Sequence, residues 1–273
     1  MGLVSTGHPI MANRNLTIKI FRYNPAVPDK KPYMASYQME ELPGLTMFTV
    51  LNRIREEQDP TLVFDFVCRA AICGSCAMII NGKPRLACKS LTKDLPKEIT
   101  LLPLPVFKLI GDLSVDTGTW FRHISLKTES WIHTSREFDP TALEERMDNE
   151  TALQIYEPER CIECGCCIAG CATANIREEF LGAATINRVA RFMVDPRDER
   201  TPAQYFEVIG CDEGTFGCMG LMACDNNCPM EIPLQYQLAY VRRKMAAYGL
   251  GLWRGTGQTG DPEHHRAGRS ATE

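Results

Sequence analysis

Twelve of the thirteen cysteines in this 273-residue chain fall into three spaced runs, and their spacing is that of soft metal ligands. The first run reads Cys68-x4-Cys73-x2-Cys76-x11-Cys88. The second reads Cys161-Ile-Glu-Cys164-Gly-Cys-Cys167-Ile-Ala-Gly-Cys171. It returns 57 residues later as Cys218…Leu221…Cys224…Cys228-Pro229, with leucine in place of one cysteine. Thiolates suit iron–sulfur clusters. The first run opens with the plant-type [2Fe–2S] spacing, and the other two follow C-x2-C-x2-C-x3-C-P, in which the fourth cysteine of each run ligates the other run's cluster.

Crossing the fourth cysteines sorts the remaining ligands. Cys161, Cys164, Cys167 and Cys228 make a four-thiolate set that fits a [4Fe–4S] cube. Cys171, Cys218 and Cys224 make a set of three, because Leu221 offers no thiolate, and a [3Fe–4S] cluster fits there. Zinc is the competing reading for each run. It suits paired C-x2–4-C units better than the asymmetric first run, and it does not explain the Cys-Pro step or the missing cysteine. Cys166 precedes Cys167, but the spacing and the match to Cys224 favour Cys167 as ligand, which leaves Cys166 as a small buried side chain. Cys211 lies outside all three runs and out of register with Leu221. His123 and His133 are read as structural.

The rest of the composition narrows the class. An apolar fraction of 44%, a charged fraction of 23% and a formal net charge of −4 describe a globular chain with no basic excess for nucleic acid. No apolar stretch approaches the roughly 20 residues that span a bilayer. The first residues lack the apolar core of an export signal, so the thiols are expected to be reduced ligands in the cytoplasm rather than disulfides. Both Met1 and Met11 stand as translation starts. The sequence contains no Ser-His-Asp order, phosphate loop or acid pair, so the chain reads as a conductor of electrons with no bond-breaking site of its own.

The elements that must hold the cysteines can be read from periodicity. Leu16, Ile18 and Ile20 alternate with polar residues, as do Tyr33, Ala35, Tyr37 and Met39, which predicts two half-buried strands. Met47, Val50, Leu51 and Ile54 predict a helix over Thr46–Gln58 that stops before Pro60. Asn81-Gly82 between apolar runs predicts a hairpin over Ala77–Cys88. The small residues Ala70, Ala71 and Gly74 would let backbone N–H groups approach cluster sulfurs. Residues 106–134, with Trp120, Phe121 and Trp131, and the acidic stretch Asp139–Glu150 read as a connection into a helical region. Helices are predicted over Arg177–Met193 and along the stripe Leu234, Leu238, Val241, Met245 and Tyr248. The expected division is an extension (1–13), a [2Fe–2S] domain (14–112), a helical dicluster domain (113–246) and a disordered tail (247–273).

With these motifs in this order, the chain closely resembles the iron–sulfur subunits of the succinate:quinone oxidoreductase and quinol:fumarate reductase family, from about residue 14 to residue 246. The residues that carry the resemblance are Cys68-Arg-Ala-Ala-Ile-Cys73-Gly-Ser-Cys76, the Cys161 run, and Cys218-Met-Gly-Leu-Met-Ala-Cys224-Asp-Asn-Asn-Cys228-Pro229. The resemblance implies an α+β chain, with an N-terminal β-grasp, plant-type ferredoxin-like domain followed by an all-α, bacterial ferredoxin-like dicluster domain. It implies a peripheral subunit on the cytoplasmic face of the cell membrane, between an FAD-containing flavoprotein and a membrane cytochrome b.

Ubiquinone-reducing members carry a tryptophan after the cysteine equivalent to Cys171 and a histidine after the one equivalent to Cys218. Here the corresponding residues are Ala172-Thr-Ala-Asn-Ile176 and Met219. The segments around Cys161 and Cys218 look most like menaquinol:fumarate reductases whose membrane subunit binds two haems b, which implies menaquinone as the quinone. Ala172 departs from the proline found in many relatives at that point. Arg242 and Arg243 sit where some relatives place a basic residue near quinone, but a solvated helix end is the reading preferred here. Two alternatives stay open: a succinate dehydrogenase subunit conducting the opposite way, and an adaptor for heterodisulfide chemistry built on a similar dicluster domain.

Overall fold

In a computed structural model, residues 14–253 are described, apart from residues 28, 30, 138, 142, 144 and 145. The expected extension at 1–13 and most of the expected tail lie outside the described residues.

The N-terminal part is a five-stranded mixed sheet in the order β2-β1-β5-β3-β4. Strand β1 (Asn15–Arg22) pairs antiparallel with β2 (Tyr33–Glu40) and parallel with β5. The alternation of Leu16, Ile18 and Ile20 turns all three onto the buried face. In β2 only Tyr37 and Met39 are buried, and Tyr33 is exposed at the open end of this edge strand. Helix α1 (Met47–Glu57) lays Met47, Val50, Leu51 and Ile54 into that core, and Thr46 caps it by accepting the Thr49 N–H. Each such side chain contributes about 1.5–3 kcal/mol by leaving water. The predicted hairpin is β3 (Ala77–Ile80) and β4 (Lys83–Leu86), joined at Asn81 and Gly82, both with positive φ. Strand β5 (Glu98–Leu102) closes the sheet against β3.

The aromatic stretch read as a connector has structure of its own. Strands β6 (Lys108–Gly111) and β7 (Ser114–Asp116) form a hairpin that leads directly into α2 (Thr117–Thr128). Phe107 stands edge-on to Trp120 at 6.1 Å, and Trp120 to Phe121 at 5.2 Å. Phe107 and Phe121 are buried, whereas Trp131 is exposed. The strands, of four and three residues, are too short for an alternation signal.

The helical part contains α3 (Asn149–Glu159), α4 (Cys166–Ala169), α5 (Ala172–Ile176), α6 (Gly182–Val194), α7 (Pro202–Ile209), α8 (Ala223–Asn227) and α9 (Leu234–Gly249). Helix α6 is its hub and packs against α2, α3, α4, α7 and α9. It starts five residues later than the periodicity predicts. Gly182 adopts φ +74, and the Leu181 N–H bonds to the Glu213 carbonyl at 2.7 Å instead of continuing the helix backwards. Helix α9 continues to Gly249, beyond the boundary expected at 246.

A buried ionic cluster fixes the far side of this part. The Asp198 side chain has no solvent exposure, and it accepts from the Arg200 guanidinium at 2.5 Å and from the Tyr205 hydroxyl at 2.6 Å. Burial works to raise its pKa, but these donors hold the carboxyl below the usual carboxylate range. The stability it contributes is therefore present above the unfolded-state value of about 4 and is lost as pH falls through the lower folded-state value. Asp198→Ala, which strands Arg200, is expected to cost about 3–5 kcal/mol near neutral pH. In urea titrations of both proteins the difference should shrink as the pH is lowered below about 4.

Candidate metal centres

The loop from Cys68 to Cys76 folds so that backbone N–H groups point at sulfur. Arg69, Ala71 and Gly74 all take positive φ, which turns successive peptide N–H groups to one side, as in an anion-binding nest. Cys68 Sγ accepts from the N–H groups of Ala70, Ile72 and Cys73, each at 3.3 Å. Cys73 Sγ accepts from Cys68 N–H at 3.4 Å and lies 3.1 Å from the Ser75 hydroxyl. Across the hairpin, Cys88 Sγ accepts from Ala71 N–H at 3.3 Å and Cys76 Sγ from Cys88 N–H at 3.5 Å. The four cysteines of the first run thus converge under inward-pointing donors, the environment that stabilises negatively charged sulfur.

The duplicated runs have the same backbone. Positive φ falls at Glu163 and Gly165 around Cys164, and at Gly220 and Met222 around Leu221. A short helix follows in each case, α4 and α8. Leu221 therefore occupies the place that Cys164 holds in the first copy, although it is 63% exposed where Cys164 is buried. One cavity is lined by Cys161, Cys164, Cys167 and Cys228, and another by Cys171, Cys218, Cys224 and Leu221. Among the described residues, no three His, Cys, Asp or Glu side chains close on one point to chelate a single ion. The thiols of the second and third runs line cavities, and all-thiolate donor sets suit iron–sulfur clusters.

Protonation separates these thiols. Burial pushes Cys76 and Cys161 up to about 12. Cys73 falls to about 6, since the Ser75 hydroxyl and the Cys68 N–H outweigh its burial. Burial also raises Cys167, Cys224 and Cys228, so binding metal there displaces thiol protons.

Cys166 is fully buried at the start of α4, and the neighbouring Cys164 sulfur together with burial pushes its thiol pKa well up. Cys211 lies between α7 and the turn at Thr215–Gly217 and does not line the Leu221 cavity. His123 is exposed on α2, and His133 pairs with Glu129. Arg242 differs from the expected solvated helix end. It is half-buried, and its guanidinium donates to the carbonyls of Thr215 and, at 3.2 Å, of Cys218, bracing the loop that presents Cys218. A basic residue in a helical stripe gives no sign of that reach.

The first cysteine loop touches the second run directly. A Cβ on Gly74 would stand 2.8 Å from Cys164 Cβ and 2.9 Å from the Ile162 carbonyl oxygen. Gly165 is held the same way under the Phe107 ring, at 2.7 Å. Lys89, next to Cys88, donates to the carbonyl of Pro229, next to Cys228, at 2.7 Å. One hydrophobic core runs from the sheet through Phe107 and Phe121 to Cys164, Cys167 and Cys224.

A β-sheet domain with a four-cysteine loop, packed on a duplicated helical cysteine unit, defines an iron–sulfur electron-transfer protein of two ferredoxin-like halves. Residues 17–122 match the 2Fe-2S iron-sulfur cluster binding domain, and residues 157–232 match the 4Fe-4S dicluster domain. The chain is 58% identical over 235 residues to the fumarate reductase iron-sulfur subunit of Wolinella succinogenes, covering 86% of this chain and 98% of that one. It is 29% identical over 222 residues to the succinate dehydrogenase iron-sulfur subunit of Bacillus subtilis, covering 79% and 87%. A chain of the Mycobacterium smegmatis Sdh1 complex in the apo form shares the fold with a TM-score of 0.77 at 23% identity, covering 88% of this chain and 98% of that one. The chain belongs to the family of iron–sulfur subunits of fumarate reductase and succinate dehydrogenase, oxidoreductase complexes.

Gly74 and Gly82 both take left-handed φ, but nothing lies within 4 Å of a Cβ on Gly82. Gly82→Ala is expected to cost about 1–2 kcal/mol. Gly74→Ala should cost about 1–3 kcal/mol more through overpacking against the Cys164 backbone. Denaturant titration of the two variants side by side measures the difference.

Proposed function

We propose that this chain is the electron-transfer subunit of a menaquinol:fumarate reductase, joining a membrane cytochrome b that carries two haems to an FAD subunit that reduces fumarate. The observation that carries this reading is the chain of contacts between the cysteine sets. The Cys68–Cys88 loop meets the Cys161 run at Gly74, and α4, which carries Cys167, packs on α8, which carries Cys224. The four-cysteine sets Cys68/Cys73/Cys76/Cys88 and Cys161/Cys164/Cys167/Cys228 would hold [2Fe–2S] and [4Fe–4S], and Cys171/Cys218/Cys224 would hold [3Fe–4S]. When bound, these clusters supply one-electron relay chemistry. The protein's share is to bring the three sets onto one core and to aim N–H donors at the sulfurs.

Exposed apolar residues at the two ends of this line support two docking faces. Val67 and Ile72 stand out beside the first loop, 74% and 68% exposed. Ile176, Phe216, Met219, Leu221 and Met222 are exposed around the Cys218 run. The first face suits the flavoprotein and the second the membrane subunit. Among the described residues no helix is long and apolar enough to cross a membrane, and the peripheral position at the cytoplasmic face is proposed from the family likeness alone. The reading of 14–112 and 113–246 as the two functional units follows the same division of cysteines.

The direction of flow rests on the likeness to the Wolinella fumarate reductase subunit and on Ala172 and Met219 at the two positions that differ from ubiquinone-reducing members. The purified complex is expected to reduce fumarate with menaquinol analogues. A complex that oxidises succinate with quinone but does not reduce fumarate would overturn this direction.

Leu221→Cys supplies the thiolate missing from the second copy. In EPR spectra of the air-oxidised complex, the three-iron signal is expected to fall and a reduced-cube signal to appear on reduction. An unchanged spectrum in a variant with a full iron complement would contradict the place given to Leu221.

A further inference from the structure

The cavity at Cys171, Cys218 and Cys224 has one polar side chain whose donor faces the sulfurs. Gln235, in the first turn of α9, lines this cavity, and its Nε2 lies 3.2 Å from Cys224 Sγ and 3.8 Å from Cys218 Sγ. The residue is held in place from behind, where its backbone N–H donates to the Asp225 carboxylate at 2.8 Å. Asp225 follows Cys224 on α8, so one acidic side chain ties the start of α9 to the helix that presents the ligand. The half-buried amide has two thiols as its hydrogen-bond acceptors.

We propose that Gln235 raises the reduction potential of the [3Fe–4S] centre by donating its side-chain N–H to the thiolates of Cys224 and Cys218. Reduction adds one electron from the reductant and breaks no bond. The added negative charge falls partly on the thiolate sulfurs, where an N–H dipole stabilises it, so the reduced form gains more than the oxidised form. The backbone N–H of Gly220 also reaches Cys218 Sγ, at 3.4 Å, but only proline lacks that N–H, and its ring cannot adopt the φ of +71 found there. Gln235 is therefore a point at which the potential of one centre can be set without altering its ligands. It is a positioning and tuning residue, and it rests on the assignment of Cys171, Cys218 and Cys224 to the three-iron centre.

The test is a potentiometric EPR titration of the whole purified complex carrying Gln235→Met, which keeps the length of the side chain and removes the donor. At a fixed potential the ratio of reduced to oxidised three-iron centre is expected to fall about three- to tenfold, a tenfold change being about 59 mV for one electron. The [2Fe–2S] midpoint should stay where it is. An unchanged three-iron midpoint at full signal intensity would overturn the proposal.

If the variant loses the cluster, the unmodified complex answers the question. With glutamine isotopically labelled at its side-chain nitrogen, pulsed EPR of the oxidised centre should detect a coupling to that nitrogen. Absence of the coupling would overturn the proposal. An unmodified complex with no three-iron signal at all would overturn it at a different level, by removing the ligand assignment beneath it.

Discussion

The structure depends on the absence of a side chain at residue 74. The cysteine loop of the sheet domain lies so close to the backbone at Ile162 and Cys164 that a single Cβ would not fit. Through that contact a loop built around one set of thiols is packed against the run that holds another. The Lys89 link to the Pro229 carbonyl fixes the same two regions a second time. Because interiors are close-packed and transmit strain, two such fixed points define the relative position of the cysteine sets more firmly than a hinge or linker would. Electron transfer requires that kind of geometry, and one hydrophobic core reaches part of each set, at Cys76, at Cys164 and Cys167, and at Cys224.

The second domain works by duplication with a difference. Both copies bend their backbone at the same two positions and end in a short helix, and the fourth cysteine of each faces the other's cavity. Leu221 replaces one cysteine of the repeat while the backbone bends on either side of it are kept. The supporting residues also differ. The first copy has a second buried thiol, Cys166, beside the cavity cysteines, whereas the second copy has Arg242 bracing the Cys218 carbonyl and Gln235 facing the sulfurs. The two centres of this domain thus share a scaffold and have different polar surroundings.

Much of this was legible in the sequence because the constraints are local. Cysteine spacing is set by how a loop wraps a cluster, and the alternation of Leu16, Ile18 and Ile20 and the stripe of Met47, Val50, Leu51 and Ile54 follow from burial of one face. The crossed grouping of Cys228 with the Cys161 run and of Cys171 with the Cys218 run is likewise a reading of spacing alone. What the sequence concealed is what long-range packing decides. The β6–β7 hairpin is too short for a periodic signal, and the late start of α6 follows from a bond to the Glu213 carbonyl. The roles of Gly74, Arg242 and Gln235 lie in contacts with residues distant in the chain. Gly74 was legible as a small residue in a cluster loop, but its contact with Cys164 was not.

The most direct measurement of the central claim, that the first loop and the second run sit in contact, is the spin relaxation of the reduced [2Fe–2S] centre in the purified complex. Microwave power saturation should show it relaxing markedly faster once the [4Fe–4S] centre is also reduced, as two adjacent paramagnets require. A [2Fe–2S] signal with the same saturation behaviour before and after reduction of the cube would contradict the account.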